Sequence, residues 1–95
     1  MKEIEIFYLT GCPYCRHARK AVEELTAEND YAGLSLRWIE ERKELALADS
    51  RDYYYVPTIY YNGQKLYECS PAHSYADIKA RFKAAFDAVS APAEP

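Results

Sequence analysis

Apolar residues near the start of the chain first alternate with acidic residues and then become continuous. In EIEIFYL, residues 3–9, Glu5 separates Ile4 from Ile6, and an apolar run follows. A period of two is typical of a strand, and the apolar end indicates that this strand enters the core. The pattern therefore predicts a first strand over residues 3–9.

The spacing changes to that of a helix after Pro13. A proline at the first helical position costs nothing, because an N–H at that position would have no intrahelical partner. The apolar residues that follow recur every three or four positions: Tyr14, Ala18, Ala21, Val22 and Leu25. This spacing predicts an amphipathic helix over residues 13–29, and the NDYAG segment at its end is typical of a turn.

The next two segments predict a second strand, in LSLRWIE at residues 34–40, and a short helix, in ERKELALADS at residues 41–50. LSLRWIE alternates so that Leu34, Leu36 and Trp38 share one face of a strand. ERKELALADS predicts a short helix with Leu45 and Ala48 facing inward.

A hairpin and a last helix complete the pattern. Asn62-Gly63 lies between VPTIYY and QKLYE, and Asn-Gly favours a tight hairpin because both central residues must adopt positive φ. Tyr60 and Tyr61 must then point to opposite faces. Ser74 precedes Asp77 as in a capping box. The last helix has an apolar stripe of Ile78, Phe82, Ala85, Phe86 and Val89.

The predicted order of elements is β-α-β-α-β-β-α. A strand, a helix and a second strand predict a parallel pair with a right-handed crossover, and the hairpin must be antiparallel. We therefore expect an α/β fold whose four-stranded mixed sheet is flanked by helices. Residues 1–90 are expected to form a single domain, and APAEP, residues 91–95, a disordered tail.

The composition and the net charge of the chain limit the kinds of partner and the cellular location that we expect. The chain has 95 residues, 49% hydrophobic and 28% charged, as expected for one small globular domain. Its net charge of −3 provides no basic field for nucleic acid or an anionic membrane. No apolar run approaches the about 20 residues of a membrane span, and Glu3 and Glu5 interrupt any signal peptide. We expect a cytoplasmic monomer.

The candidate chemistry lies in Cys12-Pro13-Tyr14-Cys15, between the first strand and the first helix. Structural disulfides are rare in the cytoplasm, whereas a helix N-terminus stabilises a thiolate. The spacing therefore predicts a redox centre. Cys12 would attack a substrate disulfide, and Cys15, one turn further and more interior, would attack the Cys12 sulfur and release the reduced substrate.

Other roles for the cysteines are less favoured. A zinc site needs two ligands beyond this pair, and Cys69, His17 and His73 are the candidates; we expect no metal. A purely structural disulfide is equally disfavoured. Cys69 is either a buried small hydrophobic residue or a regulatory thiol open to oxidation.

Val56-Pro57-Thr58 marks the entry of the third strand. A cis Pro57 would leave the backbone N–H and C=O of Val56 unpaired, so that an extended substrate could pair with them beside Cys12. An ordinary trans proline at a strand start is the alternative, and the residues alone leave both open.

These motifs and the element order, over about residues 3–89, resemble those of a dithiol glutaredoxin of the thioredoxin superfamily. The resemblance implies a thioredoxin-like fold, a cis proline and a thiol–disulfide oxidoreductase that reduces protein disulfides or glutathione mixed disulfides. It implies no tightly bound cofactor, with glutathione as cosubstrate. Cys12 matches the nucleophile, Cys15 the resolving cysteine, and Val56-Pro57 the backbone clamp.

The chain departs from that family at the glutathione site. Leu9 stands where a lysine is common, Tyr55 where a threonine is common, and Tyr67 and Glu68 where a Gly-Gly pair is expected. Tyr67 would fill the space of the tripeptide, and Glu68 would repel its carboxylate. The alternatives are a thioredoxin-like protein reduced by thioredoxin reductase, or a binding module that the cysteines switch.

Tyrosines and basic residues are the remaining candidates for substrate contacts. We expect Pro13, Tyr14, Val56, Pro57, Tyr55 and Tyr67 to bind substrate, with Tyr53 and Tyr54 also near the groove, because tyrosine is common at protein interfaces. The null hypothesis is that tyrosine only fills strands and core. Arg16, His17, Arg19 and Lys20 are expected to add to the field that stabilises an anion, and Arg42 or Arg51 to lie along the groove.

Overall fold

The structure, a computed structural model, describes residues 2–90. Its elements are β1 (Lys2–Tyr8), α1 (Pro13–Glu28), β2 (Leu34–Glu40), α2 (Leu45–Asp49), β3 (Thr58–Tyr61), β4 (Gln64–Glu68) and α3 (Tyr75–Ser90). The predicted element order is confirmed. The predicted tail, residues 91–95, lies outside the described residues, and the expectation of a single domain stays a prediction.

The four strands form one mixed sheet in the order β2-β1-β3-β4. β1 pairs with β2 in parallel, and this pairing ends where Tyr8 lies opposite Glu40. β3 is antiparallel to both β1 and β4. Because the carboxyl ends of parallel strands share one edge of a sheet, Glu40 lies beside the loop that leads from β1 to Cys12.

The sheet separates two clusters of buried side chains. Ile4 and Ile6 of β1 belong to the larger cluster, which includes the apolar stripes of α1 and α3. Phe7 faces the other side, in a smaller cluster with Ile39, Ala48 and Tyr60. The alternation along β1 therefore assigns its side chains to two faces, as the period of two requires.

The short helix α2 differs from the prediction at one residue. Ala48 is buried, but Leu45 is 63% exposed. The helix has only five residues and begins at Leu45, and Leu47 rather than Leu45 packs against the smaller cluster. The prediction that Leu45 faces inward was wrong.

The turn and the cap are confirmed. Asn62 and Gly63 adopt φ values of 52° and 76°, as a tight hairpin turn requires. The Ser74 N–H donates to the Asp77 carboxylate at 2.9 Å, and the Asp77 N–H donates to the Ser74 hydroxyl at 3.2 Å. These two bonds satisfy N–H groups that α3 would otherwise leave unpaired.

The two adjacent tyrosines of β3 point to opposite faces, as predicted. Tyr60 belongs to the smaller cluster, and Tyr61 packs against the larger one. Within residues 2–90, none of the helices combines the length and the apolar character that crossing a membrane requires.

Candidate active site

Cys12 is the N-cap residue of α1, and Cys15 lies one turn further along the helix. A turn in which Gly11 adopts a φ of 88° leads into the helix, and the Cys12 N–H donates to the Leu9 carbonyl at 3.3 Å. The Cys12 side chain is partly exposed, whereas Cys15 is 3% exposed. The partly open thiol and the buried thiol therefore share one helix N-terminus.

Burial raises the pKa of the Cys15 thiol to about 12. The Leu9 N–H, 3.5 Å from the Cys15 sulfur, offsets part of this effect by donating to it. Cys12 raises the pKa of Cys15 further, first through a hydrogen bond that favours the neutral Cys15 thiol and then because two neighbouring thiolates would repel each other. Cys15 is therefore a protonated thiol at neutral pH.

A buried carboxylate holds the loop that precedes Cys12. Glu40 is 6% exposed and accepts the Thr10 N–H at 2.9 Å and the Arg42 N–H at 2.8 Å. The Arg42 guanidinium also donates to Glu40 at 3.0 Å and lies 3.4 Å from the Thr10 carbonyl. These bonds, above all the one from the Arg42 side chain, hold the pKa of Glu40 far below its usual range. Glu40 is therefore a fixed negative charge beneath the loop.

Glu40 was not among the residues predicted for the site. The available signal was an acidic residue at the end of an alternating strand that runs parallel to the strand before Cys12. In an open α/β sheet, that edge is where sites form. A carboxylate at the end of β2 was thus a candidate for contact with the loop from β1.

The Val56-Pro57 peptide bond is cis, which decides between the two alternatives for this bond. Pro57 is buried, and its carbonyl accepts the Cys69 N–H at 3.0 Å. Within residues 2–90, neither the N–H nor the C=O of Val56 has a hydrogen-bond partner. This backbone is therefore available to an added extended segment.

Three segments meet around the two cysteines. The Tyr14 hydroxyl donates to the Pro71 carbonyl at 3.2 Å, so the start of α1 is joined to the segment after β4. That segment is joined to Pro57 through the Cys69 N–H. Cys69 also lies close enough that its charge would raise the pKa of Cys15.

Cys69 is itself buried, with 2% of its surface exposed. Burial raises the pKa of its thiol, with a further rise from the charge of Cys12, although hydrogen bonds from Tyr67 and from the Ser70 backbone to the sulfur oppose it. A buried, protonated thiol is less reactive than an exposed one. Its predicted choice between an inert and a regulatory role stays a prediction.

The predicted tyrosine contacts separate into exposed and buried residues. Tyr54 is 84% exposed and Tyr55 43% exposed, and their rings meet edge to face with centroids 4.8 Å apart. Tyr53 instead packs against Phe7 in the smaller cluster, and its hydroxyl donates to Glu41. Of these three tyrosines, Tyr54 and Tyr55 have the surface that a partner could cover.

Tyr67 lies in the larger core cluster, with its ring stacked on His73 and its hydroxyl 2.7 Å from the His73 Nδ1. Burial raises the pKa of this hydroxyl above its usual range, as does its bond to Cys69. A contact between Tyr67 and substrate would be limited mainly to its backbone, and its role as a substrate residue stays a prediction.

Glu68 holds the segment that precedes Val56. Its carboxylate accepts the N–H groups of Tyr54 and Tyr55 at 2.8 and 2.9 Å and pairs with Lys65 at 2.7 Å. Burial alone would raise the pKa of Glu68, but Lys65 and the two N–H groups outweigh it, so the pKa is lowered. Glu68 therefore keeps its negative charge next to the cis proline segment.

The other predicted groove residues are distributed as follows. Leu9 lines a groove of about 370 Å³ together with Cys12 and Cys15. Arg42 lies against the loop before Cys12. Arg51 is paired with Glu5 of β1 at 2.9 Å. Within residues 2–90, no three His, Cys, Asp or Glu side chains form a group that could hold a metal ion.

Comparisons with known proteins identify the family. The thioredoxin domain family matches residues 2–71. A malarial protein of known structure shares 20% identity, with a TM-score of 0.62 over 88% of this chain and 96% of that one. A mutant thioredoxin from Halobacterium salinarum NRC-1 shares 19% identity, with a TM-score of 0.62 over 98% of this chain and 78% of that one. No curated protein matches the chain.

At these identities the two structures show the fold alone, and both agree with the mixed four-stranded sheet described above. The predicted thioredoxin-like fold is therefore confirmed. Because the family match covers most of the sequence, including both cysteines of the Cys-x-x-Cys motif, the chain belongs to the thioredoxin domain family.

Proposed function

We propose that the protein is a thiol–disulfide oxidoreductase that reduces protein disulfides or glutathione mixed disulfides through Cys12 and Cys15. The observation that carries this proposal is the contrast between the two thiols. Cys12 is partly exposed at the start of α1, and Cys15 is buried one turn behind it. An attacking thiol needs access to the substrate, whereas a resolving thiol needs access only to the first sulfur.

The first step is the attack of the Cys12 thiolate on one sulfur of the substrate disulfide. A bond forms between Cys12 and that sulfur, the substrate disulfide breaks, and the other substrate sulfur leaves as a thiolate that takes up a proton. The attacking form is the thiolate of Cys12, which lies at the N-terminus of α1.

The second step is the attack of Cys15 on the Cys12 sulfur. Cys15 must first lose its proton, and the first step helps, because the Cys12 charge that raised its pKa is gone once the mixed disulfide has formed. The Cys15 thiolate then forms the Cys12–Cys15 disulfide, and the second substrate sulfur leaves as a thiol. The substrate has gained two electrons, and an external reductant must return the protein to its dithiol form.

The unpaired backbone of Val56 supports a position for the substrate. An extended segment that carries the disulfide can pair with the N–H and C=O of Val56, as strand addition does elsewhere. Cis Pro57, Pro13 and Tyr14 would border this segment, and Tyr55 would cover its far end.

The electron donor is a separate part of the proposal. The Cys-Pro-Tyr-Cys motif supports glutathione, as in a glutaredoxin. Leu9 and the charged Glu68 beside Tyr55 support the second candidate, a thioredoxin-like protein that thioredoxin reductase reduces, because neither residue favours a glutathione carboxylate. A redox-switched binding module, the cytoplasmic location and the monomeric state stay predictions.

The test is the consumption of NADPH with a small mixed-disulfide substrate in two arms. One arm contains glutathione and glutathione reductase, and the other contains thioredoxin reductase. Turnover in either arm that depends on Cys12 supports the oxidoreductase, and the faster arm identifies the donor. The absence of turnover in both arms would contradict the proposal.

A further inference from the structure

The cations of this acidic protein fall into two groups. Within residues 3–90, six lysines and arginines form ion pairs with carboxylates: Arg37, Arg42, Arg51, Lys65, Lys79 and Lys83. The others in that range have no carboxylate partner at ion-pair distance: Arg16, Arg19, Lys20, Lys43 and Arg81. Three of these five lie within five consecutive residues of α1, directly after Cys15.

His17 belongs to the same surface, and we call Arg16, His17, Arg19 and Lys20 the α1 basic face. All four side chains are exposed. Aromatic rings lie against three of them, and the charge of Lys20 also acts on the Glu24 carboxylate, which accepts the Tyr75 hydroxyl. The Arg19 guanidinium lies 4.0 Å from the centre of the Trp38 ring. His17 and Lys20 lie 5.5 and 5.2 Å from that of Tyr75.

The α1 basic face is continuous with the nucleophile. Arg16 borders two neighbouring grooves. One, of about 370 Å³, also contains Cys12, Cys15 and Arg19. The other, of about 520 Å³, also contains Pro13, His17, Lys20 and Tyr75. An anionic group placed in either groove would meet at least two of the cations.

The positive charges of these side chains destabilise the start of α1. The first turn of α1 contains no acidic residue, and positive side chains near a helix N-terminus oppose the helix dipole. They also repel one another over about 6 Å of helix axis between Arg16 and Lys20. A bound anion would relieve both effects, so the surface is complementary to negative charge.

We infer that the substrate disulfide lies in an acidic protein segment whose carboxylates contact the α1 basic face. This inference rests on the proposed function, and it adds the chemical class of the substrate. The occupant is a peptide segment because the face extends across both grooves, and about 6 Å corresponds to two residues of extended chain. Attraction between the two surfaces would speed encounter and orient the disulfide towards Cys12.

The test compares two disulfide peptides that are identical except at the residues flanking the disulfide, which are glutamates in one and lysines in the other. The second-order rate constant of reduction is measured at low and high salt. We expect a preference of about ten-fold or more for the acidic peptide at low ionic strength, because steering changes association rates by about 10–10³. Added salt should reduce the preference.

Arg16→Glu/Lys20→Glu should abolish or invert this preference. The ratio of the two rate constants is the readout, since any change in the reactivity of Cys12 itself affects both peptides equally. Lys43→Glu/Arg81→Glu is the matched control, because it reverses two unpaired cations outside both grooves and changes the net charge by the same amount. The control should keep the preference.

Two failures are distinguishable. Equal rates for both peptides with the unaltered protein, or an equal loss of preference in the control variant, would overturn the inference and leave the oxidoreductase intact. Reduction of neither peptide, with no turnover of the small mixed-disulfide substrate either, would overturn the proposed function and this inference together.

Discussion

Two segments of the site, the loop before Cys12 and the stretch before cis Pro57, are each held by a carboxylate, but not equally firmly. On one side, Glu40 accepts the N–H groups of Thr10 and Arg42 and pairs with Arg42. On the other, Glu68 accepts those of Tyr54 and Tyr55 and pairs with Lys65. In both segments, one carboxylate accepts two backbone N–H groups, and a neighbouring cation keeps that carboxylate ionised.

The two carboxylates differ in burial and in the cation that each contacts. The Glu40 side chain is 6% exposed and that of Glu68 22% exposed. Arginine can donate several hydrogen bonds in a fixed planar geometry, whereas lysine is a flexible point charge. The loop that carries the nucleophile is therefore held more rigidly than the segment that would receive substrate. We expect changes at Glu40 to affect reactivity, and changes at Glu68 to affect substrate binding.

The largest effect is expected from replacing Cys12, the residue whose reaction the two segments are proposed to support. Cys12→Ser should abolish turnover, because serine cannot form the mixed disulfide. Cys15→Ser should still form a mixed disulfide with substrate but not resolve it within the protein. Mass spectrometry of protein treated with a substrate disulfide would detect the trapped adduct. Turnover that persisted in Cys12→Ser would contradict both the role of Cys12 and the comparison.

The second-largest effect concerns Glu40, the carboxylate that holds the loop before Cys12. Glu40→Gln removes the charge and places an amide where the carboxylate accepted several N–H groups, so the loop before Cys12 should lose its fixed position. We expect the rate constant for the attack of Cys12 to fall about ten-fold, since small misplacements of a reacting group are costly. The rate of Cys12 alkylation by a neutral reagent would measure it.

Glu44→Gln is the matched control for this change. Glu44 makes the same kind of pair, with Arg37 at 2.9 Å, but its side chain is 40% exposed and contacts no part of the loop. Exposed pairs contribute little. A fall in reactivity as large in Glu44→Gln as in Glu40→Gln would show that the position of the carboxylate is irrelevant.

The pH dependence of stability tests the charge of Glu40, the more buried of the two carboxylates. The pKa of Glu40 is lowered in the folded protein, whereas an unfolded glutamate titrates near 4.3. Its contribution is therefore complete above about pH 4.3 and is lost as the pH falls through the folded value. The difference in Tm between the unaltered protein and Glu40→Gln should thus be constant near neutral pH and shrink in acid. A difference that grew on acidification would contradict the charged form of Glu40.

The parts of this arrangement that depend on local patterns were predictable, and those that depend on tertiary contact were not. Asn62-Gly63 and the Ser74–Asp77 cap follow from the backbone requirements of neighbouring residues, so the sequence indicated them. Glu40 reaches Thr10 only because β1 and β2 are parallel and in register. That contact spans 30 positions, and no local pattern encodes it.

The same distinction explains the errors and the surprises around the site. Leu45 has the spacing of a buried residue, but α2 is too short to place it in the core. Tyr67 has the chemistry of an interface residue, yet its ring lies in the core against His73. Glu68 was expected to repel a ligand carboxylate, and the structure gives it a second role that the sequence did not indicate, since it also holds the backbone of Tyr54 and Tyr55. In each case tertiary packing determined the role of the side chain.

The smallest effect concerns this second carboxylate. Glu68→Gln keeps the shape of the side chain and loses its charge. One or both of the hydrogen bonds donated by the Tyr54 and Tyr55 N–H groups should weaken, and so should the pair with Lys65. Because this pair is partly exposed, we expect the reactivity of Cys12 towards a neutral alkylating agent to change less than about two-fold. The effect should instead appear in KM, since Glu68 holds the Tyr54–Tyr55 segment that is proposed to receive substrate.

The direction of the KM change depends on the substrate. For glutathione mixed disulfides, removal of the negative charge beside Tyr55 should lower KM by about two- to three-fold, because a like charge near the tripeptide carboxylate is lost. For a neutral disulfide peptide, KM should rise or stay unchanged, because only the order of the segment is affected. Steady-state kinetics with both substrates, and Glu44→Gln as the control, would measure this. A ten-fold loss of Cys12 reactivity in Glu68→Gln would remove the distinction, since both carboxylates would then act on the nucleophile.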